Sequence, residues 1–182
     1  RVCVVFVAQR SNYRELPDLV RLVHDWGIDD LRVQNLSHDF SDTDPSGGYR
    51  AIREYSLAEA LWGAARASAD QVFEEAAAAA SSLGVNLRLP ELDAGAPFSG
   101  VARTPGTPGC DWPWRSAYVT WDARVQPCCM LMGGDRAVMG STDAEPFASL
   151  WHGEAYRRLR EELLSTEPPS VCRGCSMYRG VF

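Results

Sequence analysis

Apolar and polar positions in the first half of the chain alternate between two periods. Residues 2–8 form a continuous apolar, largely β-branched run, the pattern of a parallel strand covered on both faces. Leu16, Leu19, Val20, Val23 and Trp26 then recur at helical spacing. Pro17 suits a first helical turn, and Gly27 suits the position just past the end. A second strand is predicted at residues 31–36, giving a βαβ unit whose crossover is right-handed.

Residues 37–55 are rich in Asp, Ser and Gly and read as a loop. Helical composition follows over residues 57–83. Ala58 to Trp62 begins one helix there, and Val72 to Leu83 forms another that stops at Gly84. Residues 85–89 read as a third strand closed by Pro90. This β-α-β-αα-β order predicts a parallel α/β layer. A strand at residues 2–8 with nothing upstream presents unpaired backbone, so further βα units are expected before it.

Residues 93–109 hold three prolines and four glycines and form the expected linker. Beyond it, residues 117–121 and 124–127 predict a hairpin turning at Asp122-Ala123. A final helix is predicted over residues 153–164. Tyr156, Leu159 and Leu163 form its buried stripe, with Glu154/Arg158, Arg157/Glu161 and Arg158/Glu162 pairs on the wet face. The α/β domain is thus drawn at residues 1–92, the linker at 93–109 and a small domain at 110–182.

The small domain carries the candidate chemistry. Cys110, Cys128, Cys172 and Cys175 are spaced C-x17-C-x43-C-x2-C, two distant thiols followed by a tight pair. Four thiolates gathered from separate places suit a soft metal centre, either an iron–sulfur cluster or tetrahedral zinc. Zinc sites usually draw on two C-x2–4-C knuckles. One such pair is present here, which makes zinc the less usual reading. Six cysteines also allow three disulfides, but a core-rich chain of 182 residues does not need such staples. Adjacent residues of an extended strand face opposite ways, so Cys128 and Cys129 are not both expected at one centre. Cys129 and Cys3 are read as small buried apolar residues.

The surroundings of these thiols resemble a known family. They are Gly109-Cys110-Asp111-Trp112-Pro113-Trp114, Val125-Gln126-Pro127-Cys128-Cys129, Leu150-Trp151-His152-Gly153 and Pro168-Pro169-Ser170-Val171-Cys172-Arg173-Gly174-Cys175. In that order they resemble the C-terminal SPASM, or shorter twitch, extension of radical S-adenosylmethionine (SAM) enzymes over residues 109–182. Residues 2–92 more weakly resemble the second half of the radical SAM barrel. The fold this implies is a partial parallel (β/α) barrel followed by a small cluster-binding domain with a β-hairpin and a helix.

The resemblance further implies one auxiliary 4Fe-4S cluster on Cys110, Cys128, Cys172 and Cys175; Trp112, Trp114, Trp121 and Trp151 are candidates for a water-excluding shell around it and equally read as ordinary core aromatics of a small domain. In the complete enzyme a second 4Fe-4S cluster reduces SAM to a 5′-deoxyadenosyl radical. The C-x3-C-x2-C that holds such a cluster does not occur in this chain. The chain alone is therefore expected not to cleave SAM and to need the other barrel half. Its substrate would be a small molecule or a peptide. A non-catalytic precursor-peptide-binding module and a zinc-stabilised interaction domain are the alternative functions.

Residues that follow strands line the active site in α/β barrels. Arg10, after the first strand, and Gln34, Asn35 and His38, around the end of the second, are the candidate SAM or substrate contacts. A solvated loop histidine is the plainer reading of His38. His152, just before the last helix, is read as a cap and His24 as surface or filler. Asp39, Asp42 and Asp44 lack the later bidentate Glu of an EF-hand and read as a solvated acidic loop. A net charge of −6 without a basic cluster gives no electrostatic case for nucleic acid. No apolar run approaches the ~20 residues of a membrane span. A reducing cytoplasm suits this cysteine usage.

Overall fold

A computed structural model of the chain describes residues 2–61, 66–90 and 110–179. The expected linker at 93–109, and Trp62, lie outside the described residues. Those described fall into two compact units. One holds residues up to Asp39 and 43–90, and the other holds Phe40–Asp42 and 110–179.

The first unit contains β1 (Cys3–Val7), α1 (Leu16–Asp25), β2 (Asp30–Gln34), α2 (Arg50–Glu59), α3 (Arg66–Leu83) and β3 (Asn86–Arg88). Its strands form a parallel sheet in the order β1-β2-β3, with Val5 opposite Arg32 and Arg32 opposite Arg88. α1 begins with Pro17 in its first turn and closes before Gly27, whose φ of 67° an L side chain rarely adopts. Leu16, Val20 and Val23 from α1 meet Leu31 and Val33 from β2 and Phe73, Ala76 and Ala80 from α3. The alanine run thereby supplies a narrow buried stripe at helical spacing, and its other members are partly buried or exposed.

β1 does not have both faces covered. Val4 and Phe6 pack on the core, while Cys3, Val5 (54% exposed) and Val7 point the other way and are exposed. β1 is an edge strand, and α1 and α3 share one core with its even-numbered positions. Cys3 is therefore not a core residue. Trp26 also leaves the predicted stripe and is exposed, at the C-cap of α1.

The loop expected over residues 37–55 ends sooner than its polarity suggests. Asp44 accepts the Ser46 amide at 2.8 Å to make a tight turn, and α2 then starts at Arg50, with Arg50 Nε 2.8 Å from Glu54. Residues 58–61 thus do not open a helix, Ala58 and Glu59 being the end of α2. The helix stops at Ala60, whose ψ of 141° is extended.

The second unit is built on a short antiparallel sheet, β4 (Tyr118–Val119), β5 (Arg124–Gln126) and β6 (Gly140–Ser141), with β5 central. The β4–β5 turn is closed by Ala123 at a φ of 62° and by Asp122, which accepts from Thr120 and Arg124. Around the sheet stand α4 (Trp112–Arg115), α5 (Phe147–Trp151), α6 (Glu154–Leu164), α7 (Ser170–Arg173) and α8 (Ser176–Arg179). Tyr156, Leu159 and Leu163 are buried as the spacing of α6 predicts, and of its three proposed ion pairs Arg158–Glu162 is formed at 3.3 Å. α6 is not the last helix, since Pro168-Pro169 ends it only to start α7. Its N-cap is Gly153, and His152 is exposed at the C-cap of α5, so His152 does not cap α6.

Candidate metal centre

Four segments of the second unit deliver one cysteine each to a common cavity. Cys110 precedes α4, Cys128 follows β5, Cys172 lies within α7, and Cys175 lies between α7 and α8. All four line a single small cavity of about 20 Å³, walled also by Trp112, Pro113, Leu131, Leu159, Leu163 and Tyr178. The single-turn geometry of α7 makes the tight pair, with the Cys175 amide donating to the Cys172 carbonyl at 3.1 Å and the Cys172 amide to Pro169 at 2.8 Å. The double proline fixes the approach to that turn.

Cys128 is positioned by the loop it opens. Its backbone is extended (φ −165°), and a 3-10 turn follows over Cys129–Leu131 and ends in Met132 at a φ of 52°. The Gln126 side-chain amide donates to the carbonyls of Gly133 and Arg136, each at 2.6 Å, and pins the two ends of this loop. The Tyr156 hydroxyl donates to the Gln126 carbonyl at 3.1 Å. The Arg136 guanidinium donates to the Leu131 carbonyl and to both oxygens of Asp42, at 2.7 and 2.9 Å, and lies 4.9 Å from the centre of the Phe40 ring. Phe40–Asp42 belongs to this unit although it is remote in sequence. The acidic run is therefore not a solvated loop. Asp39 is fully buried, the Asp42 side chain is 11% exposed although the residue's backbone is open, and Asp44 is exposed.

The electrostatics of the cavity suit a cationic centre. Desolvation pushes the Cys128 thiol up to about 12, and the neighbouring Cys175 and Cys110 push in the same direction. Cys172 is likewise held well above its ordinary value, first by burial and then by Cys175 and Cys128. Four thiols in mutual range and largely shielded from water cannot ionise together without positive charge between them. Among the described residues, no group of three or more His, Cys, Asp or Glu could hold a single metal ion.

Trp112, one of the lining residues, also carries a buried polar atom. The indole Nε1 of Trp112 is buried and has no hydrogen-bond partner. An unpaired buried donor costs about 1–3 kcal/mol. The donor set, the apolar wall and this unmatched N–H all fit a sulfur-rich metal group.

The other expected shell residues divide. Trp114 packs in the same core as Cys110 and Cys172, and Trp151 joins a separate core with Val125, Leu150 and Tyr156. Trp121 is 97% exposed beside the hairpin turn and shields nothing. Cys129 is exposed and lies outside the thiol cavity, because the 3-10 turn that begins there carries it outward. It is not the small buried apolar residue expected.

In the first unit, the four candidate contacts follow strand ends. The Arg10 Nε donates to the Ala60 carbonyl at 2.9 Å and its amide to Glu59 at 2.8 Å, so the residue closes the end of α2. Gln34 is half-buried, and its carbonyl accepts the Ala8 amide at 2.8 Å. Asn35 and His38 are 3% and 1% exposed, and His38 Nδ1 is 4.0 Å from the buried Asp39 carboxylate. His38 is thus no solvated loop histidine. His24 is exposed.

Sequence reasoning did not single out Arg136, and it named Gln126, Asp42 and Tyr156 without these roles. Each acts through a backbone carbonyl or a partner distant in sequence, which spacing does not reveal.

Four cysteines lining one apolar cavity make this unit a candidate metal centre. Residues 110–176 match the family model of SPASM, an iron-sulfur cluster-binding domain. This part of the chain is accordingly similar to the SPASM domain, whose description is iron-sulfur cluster binding. No curated protein and no solved structure matches the chain.

Proposed function

We propose that this chain is the C-terminal part of a radical SAM enzyme and that its SPASM-type domain holds one auxiliary 4Fe-4S cluster on Cys110, Cys128, Cys172 and Cys175. The observation that carries the reading is the convergence of these four thiols on one apolar cavity. A zinc ion needs four sulfurs at about 2.3 Å from one point. A multi-iron cluster takes its thiolates at separate irons, which suits cysteines delivered by four separate segments.

When bound, the cluster supplies a one-electron store whose potential follows burial, net charge and hydrogen bonds to its sulfurs. The chain's own residues do the rest. Leu131, Leu159, Leu163 and Tyr178 keep water out, and the Gln126 and Arg136 hydrogen bonds hold the loop that presents Cys128. With four cysteines available, electron transfer or structural support is favoured over direct ligation of substrate.

The parallel β1-β2-β3 unit is proposed as part of the (β/α) barrel. Arg10, Gln34, Asn35 and His38 would then stand on the side of the strand ends where SAM and substrate bind. The remaining barrel half is the proposed partner, a small molecule or a peptide the substrate, and the cytoplasm the compartment. Without a C-x3-C-x2-C, the reduced, cluster-loaded chain incubated anaerobically with SAM is expected to yield no 5′-deoxyadenosine by chromatography. Its formation would overturn this assignment of roles.

A further inference from the structure

Trp112 stands two residues after Cys110, and its side chain lines the cavity with all four thiols. Its indole N–H is out of contact with solvent and has no acceptor in the protein. Indole Nε1 is a donor only. A buried donor of this kind calls for an acceptor brought by a ligand. The side chains lining the cavity are apolar apart from sulfur and the Tyr178 hydroxyl. Metal-bound thiolate and sulfide are the acceptors that cluster binding would add there.

We infer that the Trp112 indole N–H donates a hydrogen bond to a sulfur of the bound cluster and thereby raises its reduction potential. The inference rests on the cluster-binding reading above. One-electron reduction makes the cluster more negative, so a hydrogen bond to sulfur is stronger in the reduced form and favours it. Trp112 is thus assigned a contact to the cofactor as well as a place in the wall. The neighbouring Trp114 packs in the same core but carries no such unmatched donor among the described atoms.

The test compares cluster midpoint potentials in anaerobic redox titrations of the reconstituted full chain, wild type against Trp112→Phe, with Trp114→Phe as control. Phenylalanine keeps an aromatic ring in the wall and removes the N–H. The expected result is a more negative potential in Trp112→Phe at unchanged iron and sulfide content, and no shift in Trp114→Phe. A measurement that needs no variant is pulsed EPR of the dithionite-reduced wild type carrying ¹⁵N-indole tryptophan, where a weak nitrogen coupling is expected. Equal potentials in wild type and Trp112→Phe, or no nitrogen coupling, would overturn this inference alone. A wild-type chain that takes up no iron and sulfide would overturn the cluster reading with it.

Discussion

Gly140 shows how closely single residues set the cluster-binding unit. It pairs with Val125 in the sheet at a φ of 140°, and a Cβ built there would lie 2.1 Å from Leu150 Cδ2. Leu150 is buried against Val125 and Tyr156, so it has little room to move aside. Gly140→Ala therefore combines overpacking with a backbone conformation that L residues rarely adopt. It is expected to lower stability by about 3 kcal/mol, read by denaturant unfolding. Residue-scale reading of the sequence was sharpest at the thiols. The alternation rule for an extended strand separated Cys128 from Cys129, and the structure brings Cys128 to the cavity and turns Cys129 outward. The rule did not say that a 3-10 turn begins at Cys129, so its exposure was not legible. Trp121 misled for a related reason, since tryptophan is usually buried and the tight hairpin turn beside it leaves it in water.

At the scale of elements, long amphipathic periods were the legible part. α1, the core stripe of α6 and the β4–β5 hairpin lie where apolar spacing, Pro17, Gly27 and Asp122-Ala123 place them. β6 was missed because it is a two-residue strand whose pairing is decided across the sheet. α2 was misplaced because its polar face looked like loop, while an Arg50–Glu54 pair and buried Ser56 support a helix. The segment from Cys128 to Met139 has little regular structure and depends on side-chain hydrogen bonds. Arg136 is its anchor, 7% exposed against a similarly buried Asp42. Arg136→Met would leave that carboxylate without its guanidinium, at a cost of about 3–5 kcal/mol. Arg136→Met combined with Asp42→Leu should cost much less than the two single changes added, as measured in a double-mutant cycle of unfolding free energies. Strict additivity would show that the pair does not act as a unit.

At the scale of the whole molecule, parallel α/β order and a separate cysteine-bearing unit follow from the alternation of periods and from C-x17-C-x43-C-x2-C. The coverage of β1 was not legible. A run of β-branched residues reads the same whether one face or two are packed, and here Val5 and Cys3 are exposed. Nor did the sequence reveal that Phe40–Asp42 joins the cluster-binding unit, since only the fold brings Asp42 to Arg136. Among the described residues, no helix is long and apolar enough to cross a membrane. The central claim is that four cysteines remote in sequence hold one iron–sulfur cluster. It is tested most directly by the iron, acid-labile sulfide and zinc content of the anaerobically purified chain, beside a Cys172→Ala/Cys175→Ala variant. About four irons and four sulfides per chain, lost in the variant, are expected for one 4Fe-4S cluster. One zinc without sulfide, or iron retained by the variant, would contradict it.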